Sequence, residues 1–377
     1  RGKVLHFQGT VLDEALLGDT GPYEFGRGAT HPNYPLGLPV LEAWAARFGG
    51  WNPRWVLLPL VWWCACIPGV IALGLRGIST LAARRGALLA ACTPMLYVSD
   101  LFHRGIQDLR EAGLGGAVSL GGFADLPVAA FIALACALWI AAQRARSQRL
   151  GLCAGLAFAG AAMMKNEGLG LAGVGLLASI LSFALPQRPL FRPAAACWLA
   201  AILCIAPWIF VRAQLPASDE NYGEQLTVSR LLDALDGMEE PPAHVPPGMG
   251  DEAEPAAAGQ GLKRRDQVAG AFTSEFLDLL SWGLLWPATF IAAAIACARL
   301  RHPEVRWLLL MAVGGILLFV AILLVTPWNF PSLREKGIPE RLLVQLLGAC
   351  ALLVGAVSVP RADRASRRSV ASTAASV

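Results

Sequence analysis

Apolar runs of roughly twenty residues, the length that carries a helix across the ~30 Å hydrocarbon core of a bilayer, recur along the chain. They lie near 55–76, 83–99, 122–143, 149–165, 168–185, 193–212, 276–299, 305–326 and 341–359. In lipid every backbone N–H and C=O needs a partner within its own segment, so each run is expected to be an α-helix. The runs at 83–99 and 149–165 are short and rich in alanine and glycine. The pattern predicts an all-α, polytopic bundle of about nine transmembrane helices.

The segments between the runs differ by side. Arg76, Arg84 and Arg85 follow the first run, and Arg144, Arg146 and Arg149 the third. Arg188 and Arg192 follow the fifth, Arg299, Arg301 and Arg306 the seventh, and Arg361, Arg364, Arg367 and Arg368 the ninth. Every second loop is therefore basic, and the positive-inside bias makes those loops, and the C-terminus, cytoplasmic. The expected organisation is a first extracytoplasmic loop with interfacial helices (1–54), six spans (55–212), a large, partly disordered outer loop (213–275), three spans (276–359) and a disordered cytoplasmic tail (360–377).

Within 213–275, Leu226, Val228, Leu231, Leu232 and Leu235 recur at helical spacing, as suits a helix lying in the membrane interface. Met238 to Gly261 reads as a flexible linker, given its Glu-Glu-Pro-Pro, Val-Pro-Pro-Gly and alanine tracts. Lys263, Arg264 and Arg265 fall on the outer side, which long loops tolerate.

Composition agrees with this pattern. With 55% hydrophobic and 15% charged residues and a mean hydropathy of +0.52, the chain lies outside the range of a soluble domain. Its net charge of +4 sits in short arginine loops and implies no nucleic-acid partner. The nine cysteines fall in or near apolar runs, as small packing residues do.

The outer loops hold the unusual motifs. His31-Pro32-Asn33-Tyr34-Pro35 is stiffened by two prolines, and an imidazole and a phenol can donate to a phosphate; the plain account is a rigid turn in the aromatic belt. Asp125 precedes Leu126-Pro127 and suits either an N-cap or a carboxylate with a chemical task. Its replacement by asparagine is expected to keep the fold while lowering activity, whereas unchanged activity would leave it a cap. Lys165-Asn166-Glu167-Gly168 sits at the tip between two runs, where opposite charges complement two helix ends or form a site. Arg341 opens the last run from the outer side, either snorkelling or clamping a phosphate. A Walker loop, His-Glu-x-x-His, Gly-x-Ser-x-Gly and paired zinc-ligand spacings are all missing from the sequence.

Together these motifs resemble the GT-C glycosyltransferases, in the branch of bacterial protein-mannosyltransferase and aminoarabinose-transferase relatives (the family 39 type). The residues that carry the resemblance are His31-Pro32-Asn33-Tyr34-Pro35-Leu36 with Pro39, Gly122-Phe123-Ala124-Asp125-Leu126-Pro127, and Lys165-Asn166-Glu167-Gly168. Pro207-Trp208 and Arg341-Leu342-Leu343-Val344-Gln345 complete the set, over residues 1 to about 359.

The resemblance implies inverting transfer of a sugar from a polyprenyl-phosphate carrier to an extracytoplasmic acceptor (protein, lipid A or a surface glycan) at the bacterial inner membrane. Asp125 and Glu167 would be the acidic catalytic candidates. His31, Tyr34, Lys165 and Arg341 would bind the donor phosphate, with no cofactor beyond the lipid-linked donor and metal dependence left open. In that family the principal acidic motif follows an earlier span. The resemblance therefore places the main carboxylate upstream of Arg1, with Asp13-Glu14 a poorer match. The competing readings are a multi-pass transporter or flippase, expected to show mid-span charges and paired broken helices, and an O-antigen ligase or polymerase.

Overall fold

The structure, a computed structural model, describes residues 35–52, 58–96, 124–213, 226–236, 263–326 and 338–359. Among these residues all regular structure is helical. Helices lie in all nine predicted ranges, but only four of them are both long and apolar enough to cross a bilayer. These are α4 (Asp125–Ala145), α6 (Asn166–Ala184), α7 (Phe191–Arg212) and α12 (Pro303–Val325). A fifth forms if α13 (Ile338–Val344) and α14 (Leu347–Val357), bent by 47°, count as one broken span. The others are α1 (Gly37–Gly49), α2 (Leu58–Arg76), α3 (Thr80–Ala91), α5 (Gln148–Met164), α8 (Val228–Asp236), α9 (Arg264–Leu277), α10 (Leu279–Trp282) and α11 (Leu285–Cys297).

Where the helices depart from the predicted runs, a polar group is at the break. The range 276–299 divides because Asp278 caps α10, accepting from Leu280 N and Ser281 N. Gly283, at φ 56°, then separates α10 from α11. The last range breaks at Gln345, whose side chain is held elsewhere. Ser79 caps α3 through Ala82 N, which leaves a helix of 12 residues, ~18 Å at 1.5 Å per residue and too short to span alone. Arg264–Leu277 was expected within a loop. It is a helix with Val268, Ala271 and Phe272 buried against the bundle.

Helix α14 is apolar on all sides and packs against α2, α3, α4, α11 and α12, so it forms the centre of the bundle. Between lipid-embedded helices the attraction comes from close packing, which small residues permit. Gly151 and Gly155, four apart on α5, face the backbone carbonyls of Pro193 and Cys197 on α7, with no room for a Cβ. Gly348 meets Ala133, and Gly74 meets Ala137, in the same way against α4. A polar node ties the middle together. Ser179 Oγ accepts from the indoles of Trp198 (3.1 Å) and Trp307 (2.9 Å) and donates to Gly175 O, while Trp139 stacks on Trp307 at 4.3 Å.

The arginines of the basic loops gather at one end of the bundle and bind helix C-terminal carbonyls, whose partial negative charge and missing partners suit cations. Arg306 donates to Ser182 O, Pro186 O, Gln187 O and Leu300 O. Arg299 donates to Val357 O and Val359 O, Arg85 to Ser358 O, and Arg144 pairs with Glu304. The N-terminus of α4, the α5–α6 turn and α13 lie at the other end.

Candidate functional site

Asp125 is the first residue of α4, but it does not act as its cap. The N-cap is Ala124, which has no side-chain bond to the helix. The Asp125 carboxylate, wholly buried, instead accepts three bonds from distant segments. Lys165 Nζ lies 2.8 Å from Oδ1, Gln345 Nε2 2.7 Å from Oδ1, and Arg341 Nε 2.9 Å from Oδ2. The capping account of Asp125 and the snorkelling account of Arg341 are both replaced by this network.

The α5–α6 turn explains how Lys165 reaches it. Lys165 alone separates the two helices, in extended conformation (φ −159°, ψ 152°). Gly168 sits against the carbonyl of Ala161 where any Cβ would collide, so the hairpin closes tightly. That tightness places Lys165 Nζ within 3.0 Å of Glu167 Oε1 as well as beside Asp125. Asn166, between them, accepts from Arg212 Nη1 of α7 at 3.4 Å. Asp125, Glu167, Lys165 and Arg341, singled out in the sequence, thus stand in one buried cluster. His31, Tyr34 and the Asp13-Glu14 pair lie outside the described residues.

Two carboxylates and two cations balance in charge. Buried ions are tolerated only when paired and hydrogen-bonded, and most of these groups are. Three buried atoms in the cluster nevertheless lack a hydrogen-bond partner: Glu167 Oε2, Asn166 Nδ2 and Gln345 Oε1. Two acceptors and a donor are what the hydroxyls of a polar ligand, or water, would satisfy.

Sequence reasoning assigned no role to Gln345, Asn166 or Arg212. Gln345 follows Arg341 by four residues and so shares its helical face; that spacing was the available signal. Arg212 ends an apolar run on the side opposite the basic loops, as Arg341 does. Arg264 belongs to the same end and donates from Nε and Nη2 to Leu323 O at the C-terminus of α12.

A second polar group adjoins the cluster through the chain. Glu340, next to Arg341, lies on α13, which packs beside α9, and Glu275 Oε2 of α9 accepts from the Trp282 indole at 3.0 Å. Burial, then the neighbouring Glu340 carboxyl, push Glu275 up to about 7, while the indole N–H acts in the opposite direction. No group of three His, Cys, Asp or Glu side chains among the described residues stands together to hold a metal. Comparison of the chain with family models, curated proteins and solved structures finds no match. The four long apolar helices mark it as a membrane-embedded protein, helical in its regular structure among the described residues.

Proposed function

We propose that the chain is a membrane glycosyltransferase of about nine spans, moving a sugar from a polyprenyl-phosphate carrier to an acceptor at the extracytoplasmic face. The basic end of the bundle then faces the cytoplasm, as the arginine bias requires. One observation carries the reading: Asp125, Lys165, Glu167, Arg341 and Gln345, from three separate segments, meet in a single buried network at the end away from the basic loops.

In this reading the network divides its tasks. Asp125, saturated with donors, is a positioning residue that aims Lys165 and Arg341. Glu167 keeps one oxygen without a partner and takes the proton as the acceptor hydroxyl attacks the anomeric carbon. The bond from that carbon to the phosphate oxygen breaks, and polyprenyl phosphate leaves. Protonating Glu167 removes one of the two anions, so the cluster becomes net positive as charge develops on the leaving phosphate. His31 and Tyr34 are further candidate donors to that phosphate, and the unpartnered Gln345 and Asn166 atoms suit sugar hydroxyls.

The test uses the full chain in proteoliposomes with a synthetic polyprenyl-phosphate hexose radiolabelled in the sugar. The expected result is transfer to added acceptor with release of polyprenyl phosphate, lost on Glu167→Gln while donor binding survives. Donor that is neither bound nor cleaved by the wild-type chain would refute the reading. A transporter is the second reading, favoured by the break between α13 and α14 at Gln345, since broken helices line transport sites. It requires the label to cross the vesicle membrane with its phosphate bond intact.

A further inference from the structure

The end of the bundle opposite the buried cluster is strongly cationic. Among the described residues its one carboxylate is Glu304, which Arg144 already pairs. Arg85, Arg299 and Arg306 are held by helix C-terminal carbonyls. Arg76, Arg84, Arg146, Arg149, Arg188 and Arg192 are exposed, with no hydrogen bond or ion pair among the described residues. Packing draws several of them around the end of α4. Gly77, next to Arg76, lies beside the Arg144 side chain. Gln143 accepts from Leu190 N and donates to Leu190 O, which brings the α6–α7 loop alongside with Arg188 and Arg192. Arg146 ends α4 at φ 53° and ψ 33°, a left-handed conformation that glycine enters freely and arginine at a cost. The turn thus carries a cation where the backbone favours glycine.

Four of these arginines stand at the end of an exposed apolar strip on their own helix. Residues three, four or seven apart share a helix face. Leu73 precedes Arg76 by three on α2, and Leu88 follows Arg84 by four on α3. Leu152 and Leu156 follow Arg149 by three and seven on α5, and Leu199 follows Arg192 by seven on α7. All five leucines are exposed. A cation above a strip of exposed leucine complements a phospholipid, whose anionic phosphate sits above its acyl chain. The positive-inside bias accounts for arginine in the loops, but not for its alignment with these strips. A soluble polyanion would match the charge and leave the leucines unused.

We propose that the arginine end is a docking surface for anionic phospholipid, with headgroup phosphates at Arg76, Arg84, Arg149 and Arg192 and acyl chains along the leucines. Arg146 and Arg188 add to the field without a strip of their own. The attraction is electrostatic, roughly fivefold per arginine close to an anionic surface, and it weakens as salt shortens the Debye length. At the other end cations are matched within the chain, as Arg264 is by Leu323 O and Arg265 by Asp266. The surface depends only on the chain being embedded in a membrane, not on what the buried cluster transfers.

The experiment reconstitutes the full chain in phosphatidylcholine vesicles with a trace of spin-labelled phosphatidylglycerol or spin-labelled phosphatidylcholine. The motionally restricted fraction of each label is then compared. Both leaflets have the same composition, so the direction of insertion does not matter. Phosphatidylglycerol is expected to be restricted in preference by about two- to fivefold, and raising salt from ~0.01 to ~1 M should erase most of that preference. Arg76→Gln, Arg84→Gln, Arg149→Gln and Arg192→Gln combined are expected to abolish it, with the restricted phosphatidylcholine fraction unchanged as the sign of an intact bundle. Arg149→Gln alone should lower the preference in part, and Arg230→Gln, an exposed change at the other end, should leave it as it is. Equal restriction of the two labels by the wild type, a preference indifferent to salt, or one that the fourfold variant keeps would overturn the proposal. Binding of soluble polyphosphate without lipid preference would assign the arginines to a soluble polyanion and overturn it as well. None of these measurements reads sugar transfer, so failure here is distinct from failure of the glycosyltransferase reading.

Discussion

Asp125→Asn tests whether the buried network is what holds the candidate site together. The carboxylate is wholly buried and is bonded by Lys165, Arg341 and Gln345 at 2.7–2.9 Å. Asparagine fits the space but removes the charge, and its amide N–H₂ turns one acceptor position into a donor facing donors. A hydrogen bond to a charged partner contributes about 1.5–3 kcal/mol, but three bonds to one group are not additive. The better guide is that removing one member of a buried ion pair costs about 3–5 kcal/mol. Against a typical total of about 5–15 kcal/mol, that is a large share. The capping account gives only about 1 kcal/mol, so the two accounts are separable by measurement.

Reversible unfolding of the purified chain in mixed micelles, followed by far-ultraviolet circular dichroism, supplies the free energies for a double-mutant cycle. Arg341→Met alone leaves Asp125 with one cation fewer. In Asp125→Asn with Arg341→Met, one charge of each sign is gone, and the Lys165–Glu167 pair at 3.0 Å remains balanced. The double variant is expected to be more stable than the sum of the singles by about 1–3 kcal/mol. Additivity to within about 0.5 kcal/mol, or a cost below about 1 kcal/mol for Asp125→Asn, would show the cluster to be hydrated and the argument wrong.

Two other substitutions probe the frame that carries the site. Ser179→Ala strands the indole N–H groups of Trp198 and Trp307 and is expected to cost about 1–3 kcal/mol, read in the same unfolding assay; Ser179→Thr, which keeps the hydroxyl, should recover part of it. Gly168→Ala forces a Cβ onto the Ala161 carbonyl and is expected to cost about 1–3 kcal/mol as an overpacked position; unchanged stability would mean that the α5–α6 turn has slack.

Much of the helix placement was legible because apolar length is a direct physical requirement of lipid. The breaks were not. Nothing in the run 341–359 announces that Gln345 leaves its helix to bind Asp125, a residue far away in the chain. Likewise, the run 276–299 hid Asp278 and Gly283, whose effects come from a side-chain cap and a left-handed backbone angle rather than from hydropathy. Hydropathy alone predicts a loop over 263–275, which is too polar for a span, although Val268, Ala271 and Phe272 give α9 a face to bury.

The site was legible for a different reason. In a chain that excludes charge from its apolar runs, an ionisable residue at the end of a run needs a partner or a path to water. Asp125, Lys165, Glu167 and Arg341 could therefore be singled out one by one, each with an ordinary local account. Only their convergence removes those accounts, since a cap would bond its own helix and a snorkelling arginine would turn to solvent. Sequence shows that Lys165 and Glu167 are neighbours, but whether Asp125 lies nearer to Lys165 or to Arg341 depends on how α4 packs against α5 and α13. That packing rests on uncharged contacts such as Gly348 against Ala133. The geometry of the charged site is thus set by small residues that carry no chemistry of their own.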